Sequence, residues 1–136
     1  MQAALLVAAS ATVILALGLV HLLYTFYGSK LLPRDAALRA EMERVHPNIT
    51  RQTTMWRAWI GFNASHSMGA ILFGLVYGYL ALAMPAALFG SVFLRALGFA
   101  FLCGYVLLGW RYWFSVPFRG VLLALVLFAA SLVTAI

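Results

Sequence analysis

Asn63 and His66 stand three residues apart in a stretch otherwise dominated by apolar and small side chains, so on a helix they occupy adjacent turns of one face. Trp59 precedes them on that face, and Ala70, Phe73 and Tyr77 follow. A second apolar stretch carries His21 and Tyr24. Imidazole, amide and hydroxyl groups in hydrocarbon cost several kcal/mol unless they are hydrogen-bonded, which makes each one a candidate for function. His21 precedes the end of its stretch at Tyr27 by six residues, and His66 follows the start of its own at Trp56 by ten. At about 1.5 Å per residue these are depths of about 9 and about 15 Å. The two histidines can therefore share a layer with Asn63, Tyr24 and either Ser65 or Ser67. His21, Tyr24, Trp59, Asn63 and His66 are the expected ligand-binding residues.

Three chemistries fit such a layer. Imidazoles from two helices can hold a haem iron from both sides, although the unequal depths oppose a clean pair of axial ligands; no cofactor is expected, with haem as the alternative. An interhelical hydrogen bond from a neutral imidazole to Asn, Ser or Tyr contributes about 1 kcal/mol and needs no ligand. The third chemistry is a pocket for a small ligand or lipid headgroup. Carboxylates limit the choice: Asp35, Glu41 and Glu43 are the only three, and all lie in one connection. No apolar stretch holds an acid to orient a histidine, which excludes a Ser-His-Asp triad or a carboxylate metal site in the bilayer and disfavours proton coupling through one. No catalytic residue and no metal ligand is assigned. Any catalysis would pair a histidine with Glu43 or Arg44 at the membrane surface, or depend on a bound cofactor. Cys103 is the single cysteine, so the chain forms no internal disulfide, and a packing role is expected.

The elements that must position these residues are membrane helices. Hydrophobic residues make up 65% of the chain, charged residues 9%, and the mean hydropathy is +1.01, outside the range of soluble domains. About 20 apolar residues cross a bilayer core, and four such spans are read at residues 3–27, 56–83, 87–110 and 118–135. The expected fold is all-α: a single integral membrane four-helix bundle over residues 1–136. Lys30 is the first basic residue, so the first span lacks the charged start of a secretory signal and is expected to be retained. Small residues recur in the second span at Gly61, Ser65 and Gly69 and at Ala70, Gly74 and Gly78, a pattern that lets helix backbones approach closely in lipid. The fourth span, nearly all Leu, Val and Ala, reads as lipid-facing. Arg95 falls inside the third span; it either snorkels outward or, as preferred, the span begins nearer Gly90 and Ser91.

The formal net charge of +6 would point to nucleic acid in a soluble protein. Here the cations gather at span ends, so lipid phosphate is the expected partner and nucleic acid is not. Lys30, Arg34, Arg39, Arg44, Arg51 and Arg57 sit in or beside the first connection, Arg111 and Arg119 flank the third, and the second has only Arg95. The positive-inside rule then makes the first and third connections cytoplasmic and puts both termini outside. Pro33 precedes a helical run over residues 34–45, with Leu38, Met42 and Val45 on one side, so a short amphipathic interfacial helix is expected in the first connection. Its polar face and the adjoining Arg57 (Arg39, Glu43, Arg44 and Arg57 above all) form a cytoplasmic surface that is either solvated or a docking face. Asn48-Ile49-Thr50 fits a glycosylation acceptor, a meaning that cytoplasmic placement removes. Tyr24, Phe26, Tyr27, Trp56, Trp59, Trp110, Tyr112, Trp113 and Phe114 gather at span ends like an interfacial aromatic belt, with a ring-lined ligand mouth as the alternative.

Gly18-Leu19-Val20-His21-Leu22-Leu23-Tyr24-Thr25, Leu32-Pro33-Arg34-Asp35, the run from Thr54 through Trp56, Trp59, Asn63 and His66 to Ser67, and Arg111-Tyr112-Trp113-Phe114 resemble a family of small, uncharacterised bacterial four-span integral membrane proteins. The resemblance covers nearly the whole chain and implies the architecture and a bacterial inner membrane, but no reaction. A weaker similarity is to the membrane-associated eicosanoid and glutathione metabolism family, carried by Glu43-Arg44-Val45, by Arg57-Ala58 and by Asn63. That likeness implies thiol conjugation to a lipophilic substrate. The spacing differs, and His66 stands near the place of the family's carboxylate.

The expected function is therefore binding of a partner subunit, lipid or apolar ligand without catalysis, alone or within a larger membrane complex or homo-oligomer. A membrane-embedded enzyme of the thiol-conjugating type and a haem-binding electron-transfer subunit are the alternatives.

Overall fold

A computed structural model describes residues 1–135. It is all-helical among the described residues, with α1 (Gln2–Phe26), α2 (Ala36–Arg44), α3 (Met55–Ala83), α4 (Pro85–Gly90), α5 (Val92–Tyr112) and α6 (Ser115–Thr134). Helices α1, α3, α5 and α6 are long and apolar enough to cross a membrane, and the chain is a multi-pass membrane protein. Three boundaries differ from the sequence reading, each for a local reason. The third span is 92–112 rather than 87–110, because Pro85 opens the short α4 and the Ser91 hydroxyl accepts a bond from Leu94 N–H at 3.2 Å to start a new helix. Arg95 consequently lies in the opening turns of α5. Helix α6 begins at Ser115 and not near Phe118, since Pro117 sits in a first turn where its missing N–H costs nothing. Helix α2 is shorter than 34–45 because the Asp35 carboxylate caps Ala37 N–H at 2.8 Å.

Contacts divide the chain into two compact units, Met1–Leu17 with Ala70–Ile136, and Gly18–Gly69. In the first, segments of α1 and α3 pack with α5 and α6 as a four-helix bundle around Val7, Ile14, Phe73, Leu102, Val121 and Phe128. A Cβ on Gly74 would come within 2.6 Å of Leu15 Cβ and 2.9 Å of the Ala11 carbonyl oxygen, so α1 and α3 touch backbone to backbone there. In the other small-residue series Gly61 has open space around it and Ser65 is exposed, so these two positions make no such approach. Ser10 donates to the Ala124 carbonyl at 2.7 Å and Tyr77 to the Leu94 carbonyl at 2.8 Å, satisfying both hydroxyls inside the bundle. Helix α6 is not simply lipid-facing. Val121, Ala124, Phe128 and Ser131 recur at helical spacing and are buried, so the Leu/Val/Ala-rich sequence conceals one packed stripe.

The second unit contains the end of α1, the polar connection, α2 and the start of α3. Gly28, at φ +82°, turns the chain out of α1 in a conformation that a side chain would oppose. Helix α2 carries two internal ion pairs, Arg39 with Glu43 and Arg44 with Glu41. The Arg39 guanidinium also lies 3.4 Å above the Trp56 ring and so fastens α2 to the start of α3. The His46 ring Nδ1 donates to the Thr53 carbonyl at 2.7 Å, and Met55 N–H to the Val45 carbonyl at 2.9 Å, closing the loop between these helices.

Candidate functional site

The site lies within the second unit and is built on α3. One turn back from Asn63, the Trp59 carbonyl accepts a bond from the Asn63 amide nitrogen Nδ2 at 2.8 Å. The Asn63 side-chain oxygen faces Nε2 of His21 at 3.0 Å and accepts its hydrogen. Two further hydroxyls bond backward along their own helices: Ser67 to the Asn63 carbonyl and Thr25 to the His21 carbonyl, each at 2.8 Å. Asn63 and Thr25 are 6% exposed and Ser67 0%. The Asn63, Thr25 and Ser67 side chains are thus hydrogen-bonded where little of their surface is exposed. His66 adds its ring edge to face with His21, centroids 5.5 Å apart and planes at 76°. On its other side the outward-facing Phe62 ring lies nearly parallel, 6.3 Å away.

Of the residues expected to bind a ligand, His21, Asn63 and His66 come together. The depths of about 9 and 15 Å counted along the helices did not keep the rings apart: their centroids are 5.5 Å from each other. Trp59 contributes its carbonyl, while its indole N–H donates to the Leu31 carbonyl at 3.3 Å and its ring is 40% exposed. Tyr24 is 39% exposed and stands outside the hydrogen-bond chain. Of the two candidate serines, Ser67 belongs to the cluster, whereas Ser65 bonds the Phe62 carbonyl and is exposed. Thr25 is an addition; its place four residues after His21 was the available signal.

At the positions expected to form a cytoplasmic surface, Nε and Nη2 of Arg39 donate to one Glu43 oxygen at 3.0 and 2.6 Å, and Arg44 grips Glu41. The hydrogen bond from Arg44 holds the Glu41 carboxyl below its ordinary range, and the same bond raises the Arg44 guanidinium. Glu43 and Arg44 are thereby engaged within α2. Arg57 is exposed, and its backbone N–H bonds the Thr54 hydroxyl at 3.3 Å. Trp56, beneath Arg39, is the surface residue whose specific partner sequence reasoning missed.

Axial ligation of a haem iron requires both imidazole nitrogens to face a metal across the porphyrin plane. Here the His21 Nε2 is already committed to Asn63 and the two rings meet edge to face, an arrangement that does not fit the group. No three His, Cys, Asp or Glu side chains converge as metal ligands among the described residues. A shallow concavity of about 360 Å³, lined in part by Gln2, Pro85, Phe89 and Thr134, belongs to the first unit and includes none of the cluster. No family model matches the chain, and no curated protein or solved structure matches it.

Proposed function

We propose that this chain is a non-catalytic binding protein of the bacterial inner membrane, which holds a lipophilic ligand by its polar head at His21, Asn63 and His66. The single observation that carries the reading is the bond from His21 to Asn63 with the His66 ring against it. Beside the hydrogen-bonded pair, a second imidazole with the exposed Phe62 ring 6.3 Å from it gathers polar and aromatic recognition chemistry at one place. Leu19, Val20 and Leu23 on α1 and Phe62 on α3 are exposed, which supplies apolar surface for the ligand's body. Engagement of Glu43 and Arg44 within α2 favours binding over a histidine-carboxylate enzyme.

The reading includes membership of the small bacterial four-span family, a cytoplasmic first connection and both termini outside, supported by the cations flanking α1, α3, α5 and α6. Membrane lipids surround the chain, and a homo-oligomer or a larger complex is compatible with it. The test is photocrosslinking in native membranes with a diazirine fatty acid that cells incorporate into their lipids. Adducts concentrated on residues 19–24 and 59–66, and lost in His66→Ala, are expected. Adducts spread evenly over the four spans and unchanged by the substitution overturn the reading.

A further inference from the structure

We infer that the ligand's polar head is a hydroxyl group, which donates its hydrogen to Nδ1 of His21. This rests on the binding reading above and names its ligand class. The Asn63 amide atom 2.8 Å from the Trp59 carbonyl oxygen must be nitrogen, since an oxygen there would set two acceptors against each other. The amide atom 3.0 Å from Nε2 of His21 is therefore oxygen, and Nε2 must carry a hydrogen. In the neutral ring Nδ1 then keeps its lone pair. Asn63 is a positioning residue: it selects the tautomer, and with it the kind of atom His21 presents.

Nδ1 of His21 has no hydrogen-bond partner among the described residues. Nor is it enclosed. Among those residues the one buried side-chain nitrogen or oxygen without a partner is Nε of Arg95, so Nδ1, on a half-buried ring, is not sealed off from a ligand. A ketone, ether or ester oxygen brings only lone pairs and gains nothing there. A hydroxyl donates, and its long apolar body finds Leu19, Leu23 and Phe62 exposed on the same unit. The class is a lipophilic alcohol, either free or as the hydroxyl head of a neutral lipid.

The experiment uses the full chain in phospholipid nanodiscs with ¹⁵N-labelled histidine. The free-alcohol probe is hexadecanol against its methyl ether; the lipid probe is 1,2-dioleoylglycerol against its 3-methyl ether. In the wild-type protein His21 should show protonated Nε2 and unprotonated Nδ1, and the Nδ1 resonance should move with an alcohol and not with its ether. Binding of one alcohol should exceed that of its ether by about tenfold, the worth of one hydrogen bond in an apolar site, and the better pair identifies the source. The ratio should fall to about one in His21→Phe. Protonated Nδ1 in the wild-type protein overturns the inference without any variant. Equal binding of alcohol and ether, still dependent on His66, overturns the hydroxyl and leaves the binding reading standing; failure of all four probes to bind overturns both.

Discussion

His21 and Asn63, 42 residues apart in the chain, meet through one bond of 3.0 Å between Nε2 and Oδ1. The bond joins α1 to α3 and fixes the tautomer of the histidine. Its energy is measurable apart from any ligand. A double-mutant cycle on His21→Ala and Asn63→Ala, by unfolding in bicelles, should give a coupling of about 0.5–2 kcal/mol. Strictly additive effects would remove the bond from the account.

The contact at Gly74 predicts a contrast between two glycines of one helix. Gly74→Ala puts a methyl against Leu15 Cβ and the Ala11 carbonyl, and neither can swing away. A loss of about 1–3 kcal/mol is expected. Gly61→Ala meets nothing within 4 Å, so it should be neutral or gain slightly from better helix propensity. Thermal unfolding in detergent distinguishes them, and equal effects at both positions would contradict the packing described.

Arg39 over Trp56 should anchor α2. Trp56→Leu keeps an apolar side chain and removes the ring face, and should weaken the docking by about 0.5–1 kcal/mol. Faster hydrogen exchange across residues 36–44, with α5 and α6 unchanged, is the expected readout. Unchanged exchange in α2 would mean that the ring does not hold it.

Acid should act on α2 through Glu41. Its carboxyl is held below the ordinary range by the bond from Arg44, so the folded helix releases this proton more readily than the unfolded chain. The contribution is fully present above the unfolded carboxyl value, about 4.3, and is lost as pH falls through the lower folded one. Arg44 stays charged throughout. The Arg44 Nε–H resonance, bonded to Glu41 Oε2 at 3.0 Å, should change with a midpoint below 4.3 and become flat with pH in Glu41→Gln. A midpoint at or above 4.3 would contradict the pairing.

The sequence disclosed the spans because long apolar runs allow few other structures, and it disclosed the Asn63/His66 face because helical spacing is regular. It disclosed less where two elements meet. The break at Ser91 depends on a hydroxyl capping one amide, which an apolar run over 87–110 hides. The packed stripe of α6 was invisible because lipid and protein interior favour the same Leu, Val and Ala side chains. Arg39 over Trp56 joins residues 17 apart whose proximity depends on the loop between them. Meeting of His21 with His66 could be anticipated as a shared layer, but the choice of Asn63 as the acceptor depends on side-chain directions that spacing leaves open.

The central claim is that His21, Asn63 and His66 hold a lipophilic molecule in the bilayer, and native mass spectrometry of the protein ejected from membranes tests it most directly. The account predicts a bound adduct of defined mass on the wild-type chain, retained in Arg57→Ala and lost in His66→Ala and Asn63→Leu. A wild-type chain that emerges bare, or an adduct equally retained in all three variants, would contradict it.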